Sequence, residues 1–246
     1  MARKSIFGAI AVVAALALGP VAAQGDDMAP LEALAKREAA GGNAGARAMV
    51  SLLSGARDKD TTVKAFEWLQ DAANRGRPEA QFQLAFQYET APAPDFRRAF
   101  AWYLKAAEQG NTMAQSNLAT MFLFGKGVKR DPQQAVAWSL KAAEKGNAVS
   151  QARLGAMYAA GDGVPQDALM AEHWLVRAAE QGYAPAQAHL GSMFFNGESG
   201  AEKDVRKGLY WLKRAAEQHQ PMARKLLDQA IKDNVPGARD PLAPQK

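Results

Sequence analysis

The sequence contains no cysteine. That excludes a disulfide framework, a thiolate nucleophile, a thiolate metal site and lipid attachment to a mature N-terminal cysteine, while leaving an oxidising compartment open. Histidine is scarce as well. His173, His189 and His219 are the three present, and no two of them have the spacing that places metal ligands on one helical turn. Each fits a structural or surface role, and no metal or cofactor is expected. Charge of one sign is in short supply too. The formal surplus of +5 falls to +3, 28 basic against 25 acidic residues, once Arg3 and Lys4 are set aside in a segment expected to be removed. So small a surplus gives no reason to expect a nucleic-acid partner. Long apolar runs are missing apart from one of thirteen residues, Ile6 to Leu18, which falls short of the ~20 needed to span a bilayer.

That run explains itself as an export signal. Arg3 and Lys4 precede it, Gly19 and Pro20 break it, and Val21-Ala22-Ala23 supplies small residues for cleavage after Ala23. Residues 1–23 are therefore expected to be removed, leaving a periplasmic or secreted protein, monomeric and without stable membrane insertion. Residues 24–41 read as a helix that covers the N-terminal end of the downstream chain. Pro30 stands near the helix start, Leu31, Leu34 and Ala35 share one face, and Glu38-Ala39-Ala40-Gly41 is a worn copy of a motif repeated downstream.

What the chain has in order is tryptophan. Trp68, Trp102, Trp138, Trp174 and Trp211 are all five, spaced 34, 36, 36 and 37 residues apart, and each opens a variant of Trp138-Ser139-Leu140-Lys141-Ala142-Ala143-Glu144-Lys145-Gly146. A period between 20 and 50 residues marks a stacked-repeat architecture in which each unit packs on its neighbours. One continuous array therefore fits better than two globular domains. Each repeat holds two helices. In the first, here the A helix, residues four apart form a stripe: Ala46/Val50, Ala80/Leu84/Tyr88, Ala114/Leu118/Phe122, Ser150/Leu154/Tyr158, Ala186/Leu190/Phe194 and Ala223/Leu227/Ile231. Small residues after the central aliphatic (Ser51, Ala85, Ala119, Gly155, Gly191) are expected to admit a neighbouring helix. Loops such as Gly125-Lys126-Gly127 and Gly161-Asp162-Gly163 end the A helix; Ala91-Pro92-Ala93-Pro94 replaces one of them and is two residues shorter. They lack the Gly-Lys-Ser/Thr ending of a phosphate-binding loop and follow no strand, so they are turns.

The second, or B, helix is expected to start at Asp95, Asp131, Asp167 or Asp204, with Asp60 or Thr61 as the cap in the first repeat. Ala135, Trp138 and Ala142 share its buried face. Gly76, Gly110, Gly146 and Gly182 fit the left-handed residue that closes it, and His219 takes that place last. Glu108, Glu144, Glu180 and Glu217 occupy one equivalent position. Four copies of a position signal architecture, whereas an acid and base pair needs two different environments.

Leu-Gly-x-x-Tyr followed by Trp-x-x-x-Ala-Ala-Glu-x-Gly, at these distances, resembles the Sel1-like repeat family, relatives of tetratricopeptide repeats. The resemblance covers residues 42–233, five repeats and a closing helix. It implies an all-α, right-handed α-solenoid of stacked antiparallel helix pairs. It also implies a non-catalytic adaptor in bacterial signalling, envelope assembly or host contact. Some secreted relatives carry a disulfide in each repeat and are associated with binding or hydrolysing β-lactams. A cell-wall or β-lactam protein is therefore the alternative, weakened here by the lack of cysteine and of any nucleophile and base set.

The resemblance further implies that A helices line a concave groove. A second stripe, two, six and nine places after the first stripe begins, would then face a protein or peptide partner. It comprises Phe82, Phe86 and Glu89; Ser116, Thr120 and Leu123; Ala152, Ala156 and Ala159; and Ala188, Ser192 and Phe195, with Asn196 beyond. Small residues leave room for a helix or an extended peptide, and the phenylalanines are expected to be anchors, unless they pack into the core. Residues 234–246, rich in proline and polar residues, are expected to lack fixed structure.

Overall fold

The computed structural model describes residues 29–56 and 58–239; the expected export signal and residues 240–246 lie outside them. Among the described residues there are twelve helices and no strand. They are α1 (Ala29–Ala40), α2 (Ala44–Leu53), α3 (Lys59–Asn74), α4 (Pro78–Thr90), α5 (Phe96–Glu108), α6 (Thr112–Phe124), α7 (Pro132–Glu144), α8 (Ala148–Ala160), α9 (Ala168–Glu180), α10 (Ala184–Asn196), α11 (Val205–Glu217) and α12 (Pro221–Lys232). Within each of two compact units, helices next to each other in sequence pack as pairs, the all-α solenoid arrangement. The described residues divide into two compact units, one ending at Arg130 and holding α1 to α6, the other starting at Asp131 and holding α7 to α12. The division falls inside the third repeat, between its A and B helices.

Capping sets the helix starts. The carboxylates of Asp95, Asp131, Asp167 and Asp204 each accept first-turn backbone N–H groups at 2.9–3.0 Å. The first repeat departs from expectation. Asp58 caps α3, accepting from the Thr61 N–H at 2.8 Å, because the helix begins at Lys59; Asp60 lies within its first turn and pairs with Lys64 at 2.6 Å instead. Three of the six A helices, α2, α6 and α8, have an asparagine cap. Asn43, Asn111 and Asn147 accept from the third residue beyond at 2.8–3.0 Å. The A helix is tied to the B helix after it through the cap residue's own N–H: Asp95 donates to the Tyr88 carbonyl, Asp167 to Tyr158 and Asp204 to Phe194, at 2.9–3.0 Å. The short proline linker closes in this same way, so its two missing residues come out of the loop.

Close approach between paired helices requires the small residues. A Cβ on Gly155 would lie 2.5 Å from the Cγ of Leu175, and one on Gly191 would lie 2.8 Å from the Cγ of Leu212. Both distances are shorter than packed carbon atoms tolerate. Ser51, expected to serve likewise, is exposed. In that repeat the close approach falls on Gly45, where a Cβ would meet the Cβ of Trp68 at 2.7 Å.

The tryptophans do not share one environment. Trp68, Trp174 and Trp211 are buried, whereas Trp102 and Trp138 are only half-buried. A cation three residues on covers each of the last four rings: Lys105 at 4.2 Å, Lys141 at 3.8 Å, Arg177 at 5.4 Å and Arg214 at 5.6 Å from the ring centroid. Such a cation is attracted by the ring's quadrupole while its stem shields the indole from water. Trp68 has Asp71 at that position. Its ring N–H donates instead to Glu38 of α1 at 2.8 Å, and Glu38 also accepts from Arg75 at 3.1 Å. The worn motif of the first helix thus latches the end of the array.

Buried glutamines form a second repeating element that tryptophan spacing did not reveal. Gln81, Gln115, Gln151 and Gln187 each donate to the carbonyl of an alanine eight residues earlier, at 3.0–3.1 Å. Those carbonyls, of Ala73, Ala107, Ala143 and Ala179, belong to the last turn of a B helix; each also accepts the N–H of the glycine three residues on, at 3.0 Å, so the glutamine supplies its second bond. Gln109 then donates to Gln81, Gln181 to Gln151 and Gln218 to Gln187, at 2.6–2.8 Å, tying the end of a B helix to the start of the A helix in its own repeat.

The segment after α12 is not without structure throughout. Asn234 takes φ 53°, Val235 donates to the Ala230 carbonyl at 2.9 Å, and Ala238 is buried with Leu209 and Ala230. Lys213 Nζ donates to the Gly237 carbonyl at 2.6 Å. Residues 234–239 are therefore folded against α11, because the chain turns through a left-handed residue and offers apolar side chains to Leu209.

Two outcomes are expected. Gln87 is buried with neither amide atom hydrogen-bonded, at the position held by Met121, Met157 and Met193 in the next three A helices. Gln87→Met should raise Tm by about 3 °C or more, since an unsatisfied buried polar group costs ~1–3 kcal/mol; an unchanged or lower Tm in calorimetry would contradict the packing described. At Glu38, burial opposes the charge, but the bonds from Trp68 and Arg75 and the Arg75 charge outweigh it and hold the carboxyl below its ordinary value of 4.5. A lowered carboxyl stabilises the fold above the unfolded pKa and loses that contribution as pH falls through the folded one. Glu38→Gln should therefore lower Tm at pH 7, and the gap to the parent should close as pH drops below 4.5.

Candidate partner-binding face

The second A-helix stripe is best followed within each unit. In the first unit, α4 carries Phe82, Phe86 and Glu89. Phe82 is buried, with 6% of its surface exposed. Its ring stacks on Phe86 at 6.4 Å between centroids and tilts against Tyr103 of α5 at 5.7 Å. The expectation of two exposed phenylalanine anchors is therefore corrected: Phe82 belongs to the interface between α4 and α5, and Phe86 alone stays half-exposed. Glu89 is half-exposed as well and accepts a hydrogen bond from the Tyr103 hydroxyl at 2.9 Å.

Tyr103 itself is fully buried. Its oxygen also accepts from Asn117 Nδ2 of α6 at 2.9 Å. Burial first, and the Glu89 charge second, push the phenol well above its ordinary pKa of 10. The hydroxyl therefore stays a neutral donor, and it fixes the position of the Glu89 carboxylate. On α6, Ser116 is buried and accepts at its carbonyl from the half-exposed Thr120 hydroxyl at 3.1 Å. Leu123 is half-exposed, and its carbonyl accepts from Arg130 Nε at 3.1 Å.

In the second unit, Ala152 and Ala156 of α8 are half-exposed while Ala159 is buried. On α10, Ala188 and Ser192 are buried, Phe195 is half-exposed and Asn196 is exposed. The Ser192 hydroxyl donates to Glu198 at 3.0 Å and Asn196 Nδ2 donates to the other oxygen of Glu198 at 2.8 Å. Phe195 rests on Leu209 and Leu212, and a Cβ on Gly208 would come within 2.6 Å of its backbone nitrogen. The stripe thus alternates between side chains spent on the core and side chains left accessible to solvent: Phe86, Glu89, Thr120 and Leu123 in one unit, Ala152, Ala156, Phe195 and Asn196 in the other.

A polar row beside the stripe was not foreseen. Gln83, Asn117, Arg153 and His189 each lie three places after the first-stripe residue of their A helix. The Arg153 guanidinium is pushed down to about 10 by burial, against a small opposing effect of Tyr183, and His189 is lowered by burial against the nearby Glu198 charge. The signal was available in sequence, since all four positions are polar at one register. Polar residues at helical spacing beside an apolar stripe read as a solvated face, however, and hid the row.

A depression of about 610 Å³ lies elsewhere in the second unit, lined by Leu169, Phe194, Val205 and the charged residues from Glu202 to Lys207. None of the stripe residues lines it. Among the described residues no group of three or more histidine, aspartate or glutamate side chains could hold a metal ion, and no helix is long and apolar enough to cross a membrane.

Solved structures share this architecture. A Sel1 repeat protein from Oxalobacter formigenes has a similar structure, with TM-score 0.64 and 35% identity over 72% of each chain. A protective antigen of uropathogenic Escherichia coli strains, described as displaying an SLR fold, aligns with TM-score 0.55 and 28% identity over 86% of this chain and 54% of its own. An uncharacterized protein of Neisseria meningitidis serogroup B is 35% identical over 71 residues, 29% of this chain and 15% of that protein, so the chain spans a small part of that relative. The Sel1 repeat pattern matches five times, at residues 48–76, 78–111, 112–147, 148–183 and 184–219, and with these repeats running through most of its length the chain belongs to the Sel1 repeat family.

Proposed function

We propose that this protein is an exported, non-catalytic adaptor that holds a segment of another protein against the accessible faces of its A helices. Sel1 repeats generally mediate protein interactions, and the helix pairs supply a rigid framework for doing so. The observation that carries the reading is the half-exposure of Phe86 and Phe195 at stripe positions, while equivalent places on the same helices are consumed by packing. Large aromatic side chains that remain accessible on a rigid helix are efficient anchors, because little rotamer freedom is lost when they are covered. The export component rests on residues 1–23, whose charge, apolar run and small-residue site follow a secretory signal.

Phe86→Ala and Phe195→Ala are expected to keep the helical circular dichroism and the Tm of the parent within a few degrees. Both should lose proteins captured by the parent from an envelope extract. Phe82→Ala, which empties a buried site, should lower Tm instead, at a cost of ~3–5 kcal/mol. Capture unchanged by both exposed-site variants would remove the binding face from consideration. The mass of protein recovered from the periplasm should correspond to a chain beginning at Gln24.

A further inference from the structure

Glu89 supplies a clue to what the first unit accepts. Its carboxylate is half-exposed and takes one hydrogen bond, from Tyr103, and among the described residues no cationic side chain pairs with it within 4.0 Å. Glu38 and Asp71 of this unit are answered by Arg75, Asp60 by Lys64, and Asp95 by Arg98; what sets Glu89 apart from the remaining unpaired carboxylates is its bond from a fully buried phenol. The charge at Glu89 is also held still. Tyr103 is wedged by the Phe82 ring on one side and bonded by Asn117 on the other, so its hydroxyl cannot follow a carboxylate that swings away. A carboxylate fixed in this way, without a counter-charge and partly shielded from water, attracts a cation more strongly than a mobile surface one does.

One helical turn before it stands Phe86, the half-exposed member of the aromatic pair. Residues three apart on a helix are displaced by about 4.5 Å along the axis and share a face. An extended chain turns alternate side chains to one face, about 6.6 Å apart, and the long flexible stem of a lysine or arginine takes up the difference from about 4.5 Å.

Resting on the binding reading above, we infer that the first unit recognises an extended segment in which a lysine or arginine follows or precedes a large apolar residue by two positions. The cation pairs with Glu89 and the apolar side chain covers Phe86. The Phe82, Tyr103 and Asn117 contacts position the carboxylate and do not touch the segment.

A random dodecapeptide display library selected on the full chain, purified after export, tests this. Parent protein should enrich peptides with the stated pair, and synthetic copies labelled with fluorescein should bind about tenfold more weakly to Glu89→Gln and more weakly as salt is raised. Glutamine still accepts from Tyr103, so Tm should hold. Glu89→Lys should shift the enriched residue from basic to acidic. Selected peptides without a basic residue, or equal binding by Glu89→Gln, would overturn the inference; if Phe86→Ala still weakened such peptides, the binding reading would stand. Peptides indifferent to both substitutions would take that reading away too.

Discussion

Close contact between an A helix and the B helix after it, within each compact unit, is the constraint on which the rest depends. Alanine and glycine at the contact let the backbones approach until a single added carbon at Gly155 or Gly191 would collide with a leucine. Helices this close leave little space for large side chains between them. Aromatic residues find different places around the pairs: Trp68, Trp174 and Trp211 are buried, Phe82 and Tyr103 meet between α4 and α5, and Trp102 and Trp138 are left half-buried. Lysines stand over the two half-buried rings, Trp102 and Trp138. Such an indole is half wet, and a lysine stem one turn away shields it.

What repeats was legible. Tryptophan spacing, the aspartate caps at Asp95, Asp131, Asp167 and Asp204, and the left-handed residues at Gly76 and His219 all depend on interactions within one helix or one turn. A residue type recurring at one register reports them directly. What happens once was not legible. Asp58 caps α3 because the preceding linker differs from the later ones, and residues 234–239 fold because Leu209 offers them a surface. Phe82 and Phe86 present the sharper case. Both sit on one stripe, yet Tyr103 stands where other B helices carry Leu69, Ser139, Leu175 and Leu212, and its ring takes Phe82 into the core. No helical period encodes a contact decided by the residue opposite.

The glutamines show how a polar residue can be both buried and structural. The carbonyls at the end of a B helix accept one bond from the closing glycine N–H and have a lone pair to spare, and the next A helix begins a few residues later. A side chain at the second turn of that A helix can reach back to serve them. Gln81, Gln115, Gln151 and Gln187 do so, and Gln109, Gln181 and Gln218 pass the connection on. Apolar packing alone would tolerate small rotations of one pair against another. Directional bonds between amide groups remove that freedom, and a rigid face is what an interaction scaffold has to present.

The contact between Lys213 and Gly237, with Ala238 pressed on Leu209, bears on how such an array stops. A stack of near-identical layers offers its terminal layer as a template, and an uncovered apolar end invites addition of another molecule's first layer. The residues beyond the last helix blunt that end with a bent backbone that does not continue the helical period. The apolar surface that Leu209 and Ala230 present there is thus covered by residues of the same chain.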